Sequence, residues 1–231
     1  GLCGVLVAIA LTLRYPQMRA TQDEPINFAR TLRMMGNPYA LGFSTLIMMY
    51  VATEVAIYVW MPTYLQGYTG TLTWLPLYAL SIFFVLRAAG RFLGTWLLGM
   101  FRWTHILAVF GIAIFACFAG SLAGGVQAGV YLLPLSGLFM SMMYPTLNSK
   151  GISCFEKSEH GAAAGVILFF TAAAAAAGPL AMAAVSDLWG GVRYGFVLAT
   201  AFAALLALGL IYNAIANPAQ ARLAQRDLAT A

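Results

Sequence analysis

Six apolar stretches, almost free of charged residues, take up nearly the whole chain after position 38. A helix needs about twenty apolar residues to cross a hydrocarbon core of about 30 Å, and each stretch is long enough. Lipid offers no partner to a backbone N–H or C=O, so spans of this length must be helical; the alternation typical of a membrane β-barrel is absent from the sequence. The sequence therefore predicts an all-α polytopic membrane protein, a six-helix transmembrane bundle. The predicted spans are 39–62, 74–98, 105–123, 129–149, 161–185 and 194–215.

Composition supports the same class, because 62% of the residues are hydrophobic, only 8% are charged and the mean hydropathy is +0.84. Such a chain must expose its surface to lipid. The shorter apolar run 1–13 resembles the end of another span, and a start at Gly1 without a charged n-region argues against a signal peptide. We therefore expect a chain truncated at its N-terminus. Its expected parts are the end of a helix at 1–13, an inter-bundle linker at 14–38, the bundle at 39–217 and a tail at 218–231.

The basic residues predict the orientation. The connections on one side of the membrane, 14–38, 99–104 and 150–160, together with the C-terminal tail, carry nine of the twelve lysines and arginines, whereas the opposite connections hold only Arg193. The positive-inside rule makes the richer side cytoplasmic. Anionic lipid of the inner leaflet accounts for the net charge of +5, so no nucleic-acid partner is expected. The nine are Arg14, Arg19, Arg30, Arg33, Arg102, Lys150, Lys157, Arg222 and Arg226.

Metal sites and disulfides are not expected. Cys3, Cys117 and Cys154 show no C-x-x-C spacing and have no histidine at ligand spacing. His105 and His160 each lie at a helix start, where a solvated interfacial imidazole is the simpler interpretation and a role in gating or proton transfer is the alternative. We expect no cofactor and no metal.

Ionisable residues within the spans are the first candidates for a functional site, because the bilayer excludes charge. Glu54 lies near the middle of the first complete span, with Tyr50 and Tyr58 one turn before and after it on the same face. Arg87 lies near the middle of the next span, and Arg91 follows one turn later. We predict that Glu54 and Arg87 pair. The pair either holds the bundle together or takes part in substrate binding or proton coupling, and Arg91 is favoured as a structural residue on the cytoplasmic side.

Two further groups of side chains are candidates for contact with a solute. Ser141, Tyr144 and Asn148 fall on one helical face beside Pro145, and they either line a cavity or join helices through hydrogen bonds. Aromatic residues near the non-cytoplasmic side predict an interfacial belt, from which Trp60 could also reach a sugar ring. The belt residues are Trp60, Tyr64, Tyr68 and Trp74.

Small residues predict where helices approach closely. Gly90 and Gly94 form one small-residue face, and Gly161-x-x-x-Gly165 with the alanine run 172–177 forms another. Gly178 and Pro179 follow the alanine run and mark a point of flexure.

Four sequence blocks resemble a known family. They are YVATEVAIYVWMPTYL at 50–65, GRFLGTWLLGMF at 90–101, FMSMMYPTLNSKGIS at 139–153 and GPLAMAAVSDLWGG at 178–191. These blocks are similar to the C-terminal half of the fucose permease family of sugar:proton symporters, within the major facilitator superfamily.

The resemblance implies twelve helices in two bundles, with a small solute, a sugar, held between this chain and a missing N-terminal six-helix half. Residues 1–13 would then end the sixth helix. Family knowledge places a substrate-contacting tyrosine at Tyr144 and a cavity aromatic where this chain has Arg87, a departure that favours an anionic sugar over neutral fucose. The principal proton-carrying carboxylate of the family belongs to the other half.

The function that we predict is secondary transport by alternating access, with the proton as the coupling ion, in a plasma membrane, most simply the bacterial inner membrane. Tyr144 and Asn148 would bind sugar hydroxyls, Tyr58 or Trp60 would stack on the ring, and Glu54 with Arg87 would rearrange. An exporter of amphipathic compounds or drugs is one alternative, and a non-transporting receptor or sensor on the same fold is another. An enzyme is not expected, because no His-Glu-x-x-His, paired Asp or Ser/Lys dyad lies within the spans.

Overall fold

The computed structural model describes Thr12 and residues 28–230, and within that part of the chain every regular element is helical. Apart from Thr12, the predicted run 1–13 lies outside the described residues, as does most of the linker. In chain order the elements are α1 (Phe28–Met34), α2 (Pro38–Val59), α3 (Met61–Leu65), α4 (Leu75–Met100), α5 (Trp103–Ala123), α6 (Gly125–Met140), α7 (Met143–Ser153), a 3₁₀ turn (Lys157–Glu159), α8 (His160–Trp189), α9 (Val192–Ala216) and α10 (Gln220–Thr230).

Six of these segments are long and apolar enough to cross a membrane, which confirms the predicted bundle in the described part of the chain. They are α2, α4, α5, α6 continued by α7, α8 with the turn before it, and α9. The chain is a multi-pass membrane protein of all-α fold, and each predicted span overlaps one of these segments.

The first span begins at a capped helix end. The Oδ1 atom of Asn37 accepts hydrogen bonds from the backbone N–H groups of Tyr39 and Ala40, at 3.0 and 3.5 Å, and Pro38 occupies the first helical turn. Such a cap satisfies donors that have no partner within the helix. The span ends at Val59, three residues before its predicted limit, because the chain turns at Trp60 into the short helix α3.

The fourth span is broken, which the sequence analysis did not predict. Helix α6 ends at Met140 and α7 begins at Met143, with a turn at Ser141 and Met142 between them. Pro145 lies in the first turn of α7, where its missing N–H cannot bond to the carbonyl of Ser141. The regular helix is therefore interrupted at Ser141 and Met142, although both residues keep right-handed helical backbone angles.

Glycines bring α4 against the end of α6, as predicted for Gly90 and Gly94. A Cβ atom on Gly90 would lie 2.2 Å from the carbonyl oxygen of Leu138, and one on Gly94 would lie 2.1 Å from Cγ of Met142. On the facing helix, a Cβ on Gly137 would lie 2.5 Å from the carbonyl oxygen of Phe83. Only glycine allows backbones this close, so these three positions fix where α4 and α6 cross.

Helix α8 packs only in part as predicted. A Cβ on Gly165 would lie 3.3 Å from Cγ2 of Thr31 on α1, so the predicted close packing is found there. A Cβ on Gly161 would meet no atom within 4 Å, and most of the alanine run 172–177 is exposed, so these residues pack closely against no described helix. Gly178 is buried, and its Cβ would lie 3.6 Å from Cα of Ala52 on α2. Helix α8 continues through Pro179 without interruption.

Candidate functional site

A carboxylate on α2 is held by two tyrosines of its own helix. Tyr50, Glu54 and Tyr58 are spaced four residues apart, and the helical repeat places their side chains on one face. Both phenol groups donate to the same oxygen, Oε1 of Glu54, at 2.7 Å from Tyr50 and 2.8 Å from Tyr58. The carbonyl oxygen of Met140 lies 3.1 Å from the Tyr50 Oη atom. The broken end of α6 thereby contributes to the site.

The structure brings Arg87 of α4 into contact with this carboxylate. Its Nη1 atom forms an ion pair with Oε1 of Glu54 and donates to Oη of Tyr58 at 2.5 Å. The two charged side chains are only 16% and 11% exposed, so they are turned into the bundle and away from lipid. Removal from water costs each charge several kcal/mol, a cost that mutual attraction and the tyrosine hydrogen bonds offset.

Aromatic rings form one wall of the cluster. The ring of Tyr58 stacks on Phe84 at a centroid distance of 5.7 Å and meets the edge of Phe83 at 5.8 Å. The guanidinium carbon of Arg87 lies 6.0 Å from the Phe83 ring centroid. Sequence reasoning missed both phenylalanines. Both lie one turn before Arg87 on α4, and this spacing could have predicted that their rings lie beside the guanidinium.

The cluster keeps unused hydrogen-bonding capacity. A guanidinium carries five N–H donors and a carboxylate two acceptor oxygens. Among the described residues, Arg87 contacts Glu54, Tyr58 and Tyr50, and both tyrosine hydrogen bonds to Glu54 reach Oε1. The charges are therefore balanced, and Oε2 of Glu54 accepts no hydrogen bond from a described tyrosine.

The structure separates the polar face predicted on the fourth span. Ser141 is fully buried and donates to the carbonyl oxygen of Leu138 at 2.8 Å. Tyr144 and Asn148 are half-buried on α7, and neither side chain forms a hydrogen bond with another described residue. Ser141 therefore packs against Gly90 and does not line the predicted wall.

The other predicted site residues lie in different settings. Arg91 is exposed and forms no ion pair with a described residue. Trp60 is half-buried at the end of α2, and its Nε1 atom is shielded without an acceptor among the described residues. Tyr64 is buried with its Oη atom 3.1 Å from the carbonyl oxygen of Ser121, so its assignment to an interfacial belt is wrong. Trp74 is exposed, as a belt residue would be.

The described residues contain no group of side chains suited to bind a metal ion. In residues 28–230 no three His, Cys, Asp or Glu side chains are close enough to hold a metal ion.

Comparison with known proteins gives a similarity in sequence and one in fold. No family model matches the chain. It is 44% identical over 64 residues to the L-fucose-proton symporter of Escherichia coli (strain K12), a segment that covers 27% of this chain and 14% of that protein.

Two solved structures match over 90% of this chain at 21% identity and a TM-score of 0.74. One is the major facilitator superfamily transporter FucP in the outward conformation, and the other is a variant of the Escherichia coli fucose:proton symporter. The chain spans 51% and 52% of their lengths. The chain therefore has the fold of about half of a major facilitator superfamily transporter and resembles the fucose:proton symporter.

Proposed function

We propose that this chain is the C-terminal lobe of a secondary transporter that carries a sugar or a related small polar solute in symport with protons. The observation that carries the proposal is the buried cluster of Glu54, Arg87, Tyr50 and Tyr58 inside a bundle with the fold of a transporter half. Charges at this depth in a membrane protein commonly mark substrate or proton pathways. The fucose:proton symport named for the two Escherichia coli relatives supports the solute class.

In the proposed cycle the chain and an N-terminal six-helix half rock about a solute held between them. Asn148 and Tyr144, whose side chains have no described partner, bind solute hydroxyls, and Tyr58 or Trp60 stacks on the ring. The guanidinium of Arg87 favours a solute with a carboxylate or phosphate. The Oε2 atom of Glu54 accepts a solute hydroxyl or a proton when the ion pair rearranges. Gly178 and Pro179 supply flexure in α8.

The proposed membrane is the bacterial inner membrane. Loops 14–38, 99–104 and 150–160 and the C-terminus face the cytoplasm, and no cofactor other than the coupled proton is required. Substituted-cysteine labelling from each side of sealed vesicles tests this orientation. Labelling of position 157 from outside right-side-out vesicles would contradict it.

The test of function is uptake of labelled sugars by the full-length protein in vesicles with an imposed proton gradient. Neutral sugars, sugar acids and lipophilic cations are offered as competitors. Competition by sugars, strongest for sugar acids, is expected. Competition by lipophilic cations alone would favour the exporter of amphipathic compounds, and absence of any transport would favour a receptor or sensor.

Variants assign the roles of the side chains. Asn148→Ala and Tyr144→Phe are expected to raise the KM for sugar about tenfold, the effect of one lost hydrogen bond in a closed site. Tyr78→Phe is the matched control, since this tyrosine is exposed on α4 and forms no hydrogen bond with a described residue. Glu54→Gln is expected to uncouple uptake from the proton gradient. Unchanged uptake and coupling in both Glu54→Gln and Arg87→Met would confine the ion pair to a structural role.

A further inference from the structure

A groove on the outside of the bundle lies apart from the charged cluster. It encloses about 770 Å³ between the first half of α2 and the last half of α9, beside the residues that cap α2 and follow α9. Its lining is almost entirely apolar. The lining residues used below are Tyr39, Gly42, Leu46, Gly209, Tyr212 and Asn213.

The dimensions of the groove suit one lipid leaflet. It runs along α2 from Pro38 to Met49, about 17 Å at 1.5 Å per residue, close to half of a hydrocarbon core of about 30 Å. The two helices touch where a Cβ on Gly209 would lie 2.5 Å from Cδ2 of Leu46. Gly42 instead faces open space, and Tyr212 at the groove edge is 63% exposed. The groove is therefore open to the side of the bundle.

A buried amide at the groove lacks a partner. Asn213 is 5% exposed, and its Nδ2 atom has no acceptor among the described residues. An unsatisfied buried donor costs free energy, which an acceptor on a ligand would recover. Asn213 lies three residues before the end of α9, about 5 Å from the helix terminus, at the depth of the boundary between acyl chains and headgroups.

A cation without a carboxylate partner stands at the same end. The guanidinium carbon of Arg222 lies 4.9 Å from the ring centroid of Tyr39, which lines the groove, and 5.5 Å from that of Phe155. Its neighbour on α10, Arg226, pairs with Glu156 at 3.2 Å, whereas no described carboxylate pairs with Arg222. A positive charge thus lies next to the mouth of an apolar groove.

We propose that this groove binds one acyl chain of an anionic glycerophospholipid. The Nδ2 atom of Asn213 donates to an ester or phosphate oxygen, and Arg222 attracts the phosphate. Such a lipid carries, in order along its length, an apolar acyl chain, ester oxygens that accept hydrogen bonds and a negatively charged phosphate. The groove, Asn213 and Arg222 follow one another in the same order. A transmembrane helix of a partner protein fits less well, because its backbone carbonyls are used within the helix and bring no acceptor to Asn213.

The experiment uses full-length protein in vesicles of phosphatidylethanolamine with a minority of phosphatidylglycerol that carries a photoactivated diazirine on its acyl chain. Cross-linked peptides are mapped by mass spectrometry. The expected result is labelling at the groove residues of α2 and α9 in excess of other exposed helix faces. Gly42→Leu, which fills the groove, should reduce this labelling about fivefold, whereas Gly99→Leu, at another glycine that faces open space, should not.

The headgroup assignment is tested separately. Asn213→Leu removes a donor that has no acceptor among the described residues, so the fold should be retained, and Arg222→Gln removes the charge. Each variant is expected to lower labelling by the phosphatidylglycerol probe about fivefold. Arg222→Gln is expected to lower labelling by a phosphatidylcholine probe less than this. Equal labelling of all exposed faces, or a groove left unlabelled because a protein segment covers it, would overturn the proposal.

Discussion

Breaking the ion pair between Glu54 and Arg87 is expected to lower the free energy of unfolding by an amount that can be worked out from the burial of the two side chains. Arg87→Met keeps the length of the side chain and removes the charge, so a carboxylate that is 11% exposed loses its counter-ion. Breaking a buried pair in this way costs about 3 to 5 kcal/mol. Tyr50 and Tyr58 still donate to Glu54, and hydrogen bonds to a charged group contribute about 1.5 to 3 kcal/mol each. We therefore expect a loss near 3 kcal/mol.

A double-mutant cycle isolates the interaction. Glu54→Gln alone is expected to cost about 2 kcal/mol, since the guanidinium that it leaves unpaired is more exposed than the carboxylate. In the double variant no uncompensated charge remains, so its loss should be about 2 to 3 kcal/mol smaller than the sum of the two single losses. The free energy of unfolding is measured for the full-length protein in detergent micelles by circular dichroism during denaturant titration.

The control is Arg91→Met, one turn further along α4, where the arginine is exposed and has no ion pair with a described residue. Its effect should remain within about 0.5 kcal/mol. Additive losses for Glu54→Gln and Arg87→Met, within about 0.5 kcal/mol, would show that the two charges do not interact in the folded protein.

Three further predictions concern packing, hydrogen bonding and the thiol outside the spans. Gly90→Leu places atoms against the carbonyl oxygen of Leu138 and should lower the free energy of unfolding by at least about 1 to 3 kcal/mol, whereas Gly99→Leu should change it little. Tyr50→Phe removes one donor to the carboxylate and should cost about 1.5 to 3 kcal/mol in the same denaturant titration. Burial raises the pKa of the Cys154 thiol to about 11, against the opposing influence of Arg222 and Lys150, so stability should fall as pH rises above about 8.5, where the unfolded thiol ionises first. Maleimide should modify Cys154 at pH 8 only after unfolding, as followed by peptide mass spectrometry, and rapid modification of the native protein would contradict this.

Hydropathy predicted the spans because it is a local property. A run of about twenty apolar residues must be a helix in lipid whatever surrounds it. The fold class and the number of spans in residues 28–230 therefore followed from sequence, and so did the presence of Glu54 and Arg87 within two of those spans. The break in the fourth span was missed, although Pro145 was noted, because hydropathy alone does not separate one long helix from two short ones.

Tertiary structure decided which polar groups meet. The sequence predicted that Glu54 and Arg87 pair, and the folded bundle brings these side chains of α2 and α4 into contact. The burial of Tyr64 and the exposure of the alanine run 172–177 depend equally on which helix lies alongside, which no local pattern records. By itself the sequence determined how many membrane spans residues 28–230 contain and which of those spans carry charged side chains. Because side-chain contacts between helices depend on interhelical distance and rotation, only the folded bundle decided which of those residues form a site.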